Sequence, residues 1–535
     1  GISLSMRAYI LLRRGRRVRR GGSARQNEQG VESMELVFEE QSIDYLRRIF
    51  SGSAAQELTQ ELIVPDSYPD CGRIVFTGAC AVMRGKECRD GGAAVTGGVR
   101  AGLLYVPEDG SEARALECYL PYSVRYDHPA ATAQTQLFAM CRVRAADARL
   151  INSRKILVRV SVVCDLTGFE ETGETIRTLK DAPQALQTKT ADYRCVLPRE
   201  YAEKPFSMTE DLELSGGEPE TAKLVQYWLT PEITEQKLTG NKAVFKGVLV
   251  FKALLLGADG TPQVMSRQLP LSQYCELRGD YADDELQVQI CVTGSEAELV
   301  HMEDEPAKIL LSANLLCQCV AMQGYDLTLT EDAYATRGDF SPVWSEVRLP
   351  CLLDRQLPGG TLRGSVPKQA RAVLDSTLYL DSVSQQKKDG GIQLSAPATV
   401  NILYMDEDGA LQSAIVRDQV SCTVAAGGGT ICQANVQPGR DGFAAPSGGG
   451  IDVRYDVSFH ADCCCDQALR TLTGGALEEG EKTAEKFCVV VKTADQTQSL
   501  WELAKAYRTS EQAIAGANGI STGEVEQGTL LLIPV

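Results

Sequence analysis

Leu103-Leu104-Tyr105-Val106-Pro107-Glu108-Asp109-Gly110 decides how the chain is read, because it recurs. It returns as Leu254-Leu255-Leu256-Gly257-Ala258-Asp259-Gly260 and again as Ile402-Leu403-Tyr404-Met405-Asp406-Glu407-Asp408-Gly409. Each copy is an apolar run closed by an acidic turn that ends in Asp-Gly, a strong hairpin signal. The step between copies is about 150 residues, and a fixed period outranks other sequence features as a guide to architecture. Between the first two copies other landmarks keep the same step. Pro69 answers to Pro219, and Leu120-Pro121-Tyr122-Ser123 answers to Leu269-Pro270-Leu271-Ser272.

Working outward, each repeat carries alternating strands. Ile156, Val158, Val160 and Val162 alternate with Leu157, Arg159, Ser161 and Val163 in the first. Leu286, Val288 and Ile290 alternate with Gln287, Gln289 and Cys291 in the second. Val453, Tyr455, Val457 and Phe459 alternate with Arg454, Asp456, Ser458 and His460 in the third. This period of two predicts strands, and their short regular spacing predicts tandem β-sandwich or barrel-like repeats, a mainly β fold. The units are too long for a solenoid.

The expected order is a basic disordered tail over 1–33, an N-terminal helix with the first β domain over 34–200, a second over 201–347, and a third, more diverged, over 348–472. A polar linker over 473–486 and a small terminal domain over 487–535 complete it. Eight Arg against two Glu make the first 33 residues basic, although the chain as a whole carries −17. That stretch reads as a tail translated from upstream of a start at Met34. The helix is expected because Leu36, Phe38, Ile43, Leu46 and Phe50 could line one face, with Glu39, Glu40, Arg47 and Arg48 outside. Glu61-Leu62-Ile63-Val64-Pro65-Asp66-Ser67-Tyr68-Pro69-Asp70 reads as a strand ended by two prolines.

The acidic balance argues against coating nucleic acid or anionic lipid, and no apolar run approaches the length of a membrane span. The 18 cysteines, scattered without a secretory signal, read as reduced thiols of a cytoplasmic protein. No enzyme is expected: there are three histidines, His128, His301 and His460, and no cysteine has the helix-start context of a Cys–His nucleophile. His460, Cys463, Cys464, Cys465 and Asp466 are crowded, but adjacent cysteines cannot all turn to one ion, so no metal and no cofactor is expected; the thiols read as exposed at a strand end. Glu108-Asp109 and Asp406-Glu407-Asp408 lack the ligand count of a calcium loop and read as solvated hairpin tips.

The last fifty residues predict strand, helix, helix, strand. Leu500, Leu503, Ala504 and Tyr507 make one helical stripe, and Thr509 with Gln512 fits a capping box for a second helix that stops at Asn518-Gly519. Val490-Val491-Lys492, Ser499-Leu500-Trp501-Glu502-Leu503-Ala504, Asn518 and Gln527-Gly528-Thr529-Leu530 with Ile533-Pro534 give this segment its resemblance to LysM domains. The resemblance implies a βααβ domain with Trp501 in its core. It also implies a groove for N-acetylglucosamine polymers at Asp495, Gln498, Ser499, Asn518, Gly519 and Ile520. The first loop differs from the family: Ala494-Asp495-Gln496-Thr497-Gln498 stands where the family has Gly-Asp-Thr or Gly-Asp-Ser directly before Leu-Trp.

The repeats resemble SPOCS domains of sporulation proteins, on Glu61 to Asp70, the Tyr105 and Tyr404 turns, Leu120-Pro121-Tyr122-Ser123 and Ile151-Asn152-Ser153-Arg154. SPOCS repeats followed by a LysM segment resemble spore-envelope scaffolds of the SipL and SpoVID type. This implies a non-enzymatic scaffold on the mother-cell side of the forespore surface, with a morphogenetic partner such as a SpoIVA-like coat ATPase. The alternative is a peptidoglycan-binding protein that uses the terminal domain.

Overall fold

The computed structural model describes residues 33–214, 223–281, 285–301, 306–478, 489–494, 496–520 and 523–535 of the chain. Three times the backbone runs the same course through six strands. In the first unit these are β1 (Val37–Ile63), β2 (Cys71–Arg89), β3 (Gly92–Pro107), β4 (Arg114–Asp127), β5 (Gln136–Asn152) and β6 (Lys155–Asp181). The second has β7 (Leu186–Glu213), β8 (Lys223–Thr239), β9 (Lys242–Leu256), β10 (Pro262–Glu276), β11 (Leu286–Val300) and β12 (Lys308–Ala335). The third has β13 (Asp339–Gln356), β14 (Ala372–Leu380), β15 (Gly391–Met405), β16 (Leu411–Val424), β17 (Thr430–Ser447) and β18 (Gly450–Glu478), with additional short strands at Gly359–Val366 and Ser384–Lys388.

Pairing is antiparallel throughout and repeats from unit to unit. The second, third and fourth strands form one sheet, and the first, sixth and fifth form another. The Asp-Gly stretches connect the third and fourth strands each time. Gly110, Gly260 and Gly409 take φ of 72°, 75° and 83°, the left-handed region that glycine enters without a Cβ penalty. Their N–H groups close the turns on the carbonyls of Pro107, Gly257 and Asp406. The Leu-Pro landmarks are also equivalent in space: Leu120 lies opposite Val99, and Leu269 opposite Leu249.

The apolar runs before the turns have no polar alternation because both faces are covered. Leu103 and Tyr105 enter the core of the first unit, Ala253 and Leu255 that of the second, Ile402 and Tyr404 that of the third. The residues between them, Leu104, Leu254 and Leu403, each stand six places before the turn glycine. All three meet in one shared cluster with Val75, Val225 and Ala115. A fully buried leucine contributes about 1.5–3 kcal/mol, so this cluster ties the three units together.

A second convergence lies along the long strands. β1 with β6, β7 with β12, and β13 with β18 form three ribbons, whose Ile43, Ile176, Cys195, Leu327, Leu349 and Leu469 pack together. The units are therefore interlocked rather than strung out. Side-chain amides extend the interlock across sheet edges. Gln318 of β12 donates to the Ala139 carbonyl at 2.8 Å and accepts from the Ala139 N–H at 3.0 Å, as a neighbouring strand would. Gln226 donates to the Gly78 and Arg100 carbonyls, and Asn401 to those of Thr77 and Ala146.

Several expectations are corrected. The helix expected from Met34 to Phe50 is strand instead: Ser33–Glu35 pairs with β18, and from Val37 the chain is the first half of β1, paired along its length with β6. A register shift between Arg48 and Phe50 adds a residue to one strand, and Leu46 is buried on the face opposite Tyr45. Together these give a two-sided strand a spacing that imitates a helical stripe. The boundaries expected at 200/201 and 347/348 fall inside the continuous strands β7 and β13. The first part of the expected linker is strand, since β18 continues to Glu478 and pairs there with both Asp339 and Ser33. Residues 479–488 of the linker and residues 1–32 of the expected tail lie outside the described residues.

The thiols also depart from the uniformly reduced set expected. The sulfurs of Cys141 and Cys164, directly opposed on β5 and β6, are bonded, as are those of Cys432 and Cys464. No helix among the described residues is long and apolar enough to cross a membrane.

Candidate functional site

The terminal segment begins with β19 (Val489–Thr493) and closes with β20 (Leu530–Pro534), paired antiparallel with Val491 opposite Leu532. Between them lie α1 (Leu500–Ala506) and α2 (Glu511–Asn518). A two-residue pairing of Gln498 and Ser499 with Val525 and Glu524 pins the entry to α1. Leu500, Trp501, Leu503, Ala504, Ile514, Leu531 and Ile533 form its core, so both helices are held by the stripe of apolar residues visible in the sequence. Ser510, not Thr509, caps α2, accepting from the Ala513 N–H at 3.1 Å. The chain leaves α1 through Arg508 at φ 53°, which sets the second helix one residue later than the expected capping box.

Most of the candidate groove residues already hold the segment together. Ser499 caps α1 by accepting from the Glu502 N–H at 3.2 Å. Both ends of the Asn518 side-chain amide are engaged. Its Nδ2 donates to the carbonyls of Ile514 and Leu532, and its Oδ1 accepts from the Leu532 N–H at 2.7 Å. Gly519 closes α2 at φ 65°, and Ile520 packs against the small core. The Gln498 side chain is half-buried beside them. Asp495 lies outside the described residues.

The segment does not stand apart from the repeats. Trp501, expected as a core residue, also donates its indole N–H to Asp332 of β12 at 2.8 Å. Lys505 Nζ reaches both Asp332 oxygens at 2.7 Å. Tyr334 packs edge-on against the Trp501 ring, 4.9 Å between centroids, and its hydroxyl donates to the Thr509 carbonyl at 2.8 Å. Burial pushes the Asp332 carboxyl up, but the hydrogen bonds from Lys505 and Trp501 outweigh it and hold the group below the ordinary range. Sequence reasoning passed over Asp332 and Tyr334. They sit in an unremarkable strand end, and only the fold brings the terminal segment to them.

The motifs that carry the likeness of the first repeat also come together. Arg154 donates to the carbonyls of Tyr68, Val64 and Pro65 and pairs with Asp66 and Asp70. Tyr105 donates to the Pro69 carbonyl at 2.9 Å. One guanidinium thus organises the whole proline-bounded turn between β1 and β2.

The crowded His–Cys stretch is dispersed. Cys463 enters the core of the third unit, Cys464 is bonded to Cys432, and Cys465 lies with Cys195 and Cys351 between the ribbons. They sit inside a long strand, not at an exposed strand end. His460 is held below its usual range by burial and by the nearby Arg355, with Asp462 opposing. Among the described residues no group of three or more His, Cys, Asp or Glu side chains gathers as metal ligands would. His128 lies in the loop after β4, and His301 is exposed. No family model, curated protein or solved structure matches the chain.

Proposed function

We propose that the protein is a non-enzymatic scaffold of a spore-coat or cell-envelope layer, built from three SPOCS-like β-sandwich repeats and a terminal LysM domain, and acting through protein contacts. Its place in this reading is the mother-cell cytoplasm, at the forespore surface, with a SpoIVA-like coat ATPase as partner. The threefold course of the strands and the Arg154-centred turn support the repeat assignment, and the two helices between paired β19 and β20 support the LysM assignment.

The observation that carries protein contact over sugar is the state of the groove. Asn518 and Ser499 direct their polar atoms to backbone groups of their own segment. A glycan would have to displace those hydrogen bonds, each counting for about 0.5–1.5 kcal/mol. The full chain, mixed with insoluble peptidoglycan and sedimented, is expected to stay in the supernatant, and to co-elute with the coat ATPase in size-exclusion chromatography. Sedimentation with the wall that N-acetylglucosamine oligomers compete away, together with no co-elution, would decide for the peptidoglycan reading instead.

A further inference from the structure

Where the three units meet they enclose a partly open cavity of about 690 Å³, within the range of about 300–1,000 Å³ that holds drug-sized ligands. Its walls come mainly from the second and fifth strands of every unit, β2, β5, β8, β11, β14 and β17, with His460 of β18 beside them. The wall is largely apolar and is not closed up by packing. Leu229, Ile233, Val288 and Leu378 line it only half-buried. Met140, also half-buried, and the exposed Leu357 line it without joining any core cluster of the described residues. Protein interiors ordinarily leave few voids larger than a water molecule, so apolar surface left uncovered between interlocked units is a departure from that rule.

One polar ring on this wall has nothing to bond. The His460 imidazole makes no hydrogen bond to any described residue, and its nitrogens are not sealed away from the space it lines. Burial and the nearby Arg355 hold it below its usual range, so it is neutral at pH 7 and presents one N–H donor and one acceptor nitrogen. The charged groups around it are engaged: Arg355 with Asp462 at 2.8 Å, Arg142 with Asp165 at 2.5 Å, and Glu235 with Lys246 at 3.3 Å. Backbone groups on the strand edges are engaged too. The Ala79 N–H donates to the Tyr379 hydroxyl, and the Ala79 carbonyl accepts from the Trp228 indole. Gln236 donates to the Leu286 carbonyl and accepts from the Val288 N–H. An extended chain finds no ladder to join at these positions, and the space is left to a small molecule.

We infer that this cavity is a binding site for an uncharged, largely apolar small molecule that carries a hydroxyl or N–H group. Its apolar body covers Met140, Leu229 and Ile233, and its hydroxyl or N–H donates to the acceptor nitrogen of His460. A carboxylate would enter without a counter-charge, because the arginines named above are already paired, and burying an unpaired charge is costly. The site lies apart from the terminal segment and stands whether that segment binds protein or sugar.

The probe is N-phenyl-α-naphthylamine, an uncharged apolar amine whose fluorescence rises out of water, titrated into the full chain. Saturable uptake is expected, and Met140→Trp, which fills the space from its wall, should abolish it. In competition with the probe, α-naphthol should outdo α-methylnaphthalene by roughly two- to ten-fold, the worth of one hydrogen bond, and α-naphthoate should compete least. His460→Leu should erase the preference for the hydroxyl while α-methylnaphthalene competes as before. Naphthyl azide, photolysed on the unaltered protein, gives a measurement free of any substitution and should label Met140, 228–236 or 287–292. The exposed Val489, Val491, Leu530 and Leu532 of the terminal strands are the competing apolar surface. No saturable uptake, uptake that survives Met140→Trp, a hydroxyl preference that survives His460→Leu, equal competition by α-naphthoate, or label confined to 489–493 and 530–534 would each overturn the inference.

Discussion

Asp332→Ala should loosen the terminal segment from the repeats, and the size of the effect follows from the partners it strands. The Asp332 carboxylate takes the Trp501 indole N–H, both contacts from Lys505 and the neighbouring Ala333 N–H. Trp501 is only 7% exposed, so its N–H would be left buried without an acceptor, a loss of about 1–3 kcal/mol. Lys505 is nearly half exposed, and its share is about 0.2–1 kcal/mol. Together they make about 1.2–4 kcal/mol, or roughly 7- to 700-fold in the docking equilibrium. Asp332→Asn keeps an acceptor for Trp501 and should recover most of the loss. Hydrogen–deuterium exchange read by mass spectrometry on peptides covering Leu500–Ala506 and 330–335 measures the opening directly. The pH dependence has a definite sign. The docked carboxyl lies below its ordinary value of 3.8, so its contribution is complete above that value and disappears as pH falls through the lower, docked one. Equal exchange in wild type and Asp332→Ala, at neutral pH, would remove this contact from the account of docking.

Three further outcomes test the interlocked units. Leu254→Ala opens a void in the cluster that all three units share, and should cost about 2–5 kcal/mol; calorimetry should show one transition moving as a whole, whereas a shift confined to one of several transitions would show the units to be independent. Gly102→Ala would place a Cβ 2.4 Å from the Val225 carbonyl oxygen of the second unit, and should lower the midpoint by more than Gly110→Ala. The latter meets no atom within 4 Å and suffers only from its φ of 72°, about 1–2 kcal/mol. Arg154→Ala should destabilise the first unit by about 1.5–3 kcal/mol, and Arg154→Lys should not rescue it, because a point charge cannot serve the carbonyls and carboxylates that the planar fork reaches; thermal melts of the two variants decide.

The sequence revealed its repeats through positions where chemistry leaves little choice. A turn glycine at positive φ, an apolar run and a Leu-Pro pair in fixed register are local features, and all three reappear in space. What stayed hidden was long-range. β1 imitated a helix because a bulge and two buried faces disturbed its period of two. Gln226 and Gln318 carry no signal in the sequence, yet they are 1% and 0% exposed and serve as rungs between sheets. No periodicity rule separates such a glutamine from a surface one, because its partners lie 126 and 179 residues away. In the terminal segment the apolar stripe, the Ser499-Leu500-Trp501 entry and the Asn518-Gly519 stop were legible for the same local reason. The engagement of Asn518 with β20, and of Trp501 with Asp332, was not.

The same contrast explains which repeat positions could drift. Leu104, Leu254 and Leu403 are leucine in every copy, and each is fully buried where three copies meet. A change at any one of them alters the packing of the other two, since close-packed interiors feel a single methylene. One residue further on stand Tyr105, Leu255 and Tyr404, each in the cluster centred on its own unit and apart from one another, where a different residue needs only local repacking. Carrying the three units on one chain also permits contacts that identical subunits could not make singly. Lys252 pairs with the buried Asp375 at 2.5 Å, and Arg142 reaches the Leu380 and Asp381 carbonyls. These contacts join the second unit to the third, and the first to the third, through different groups.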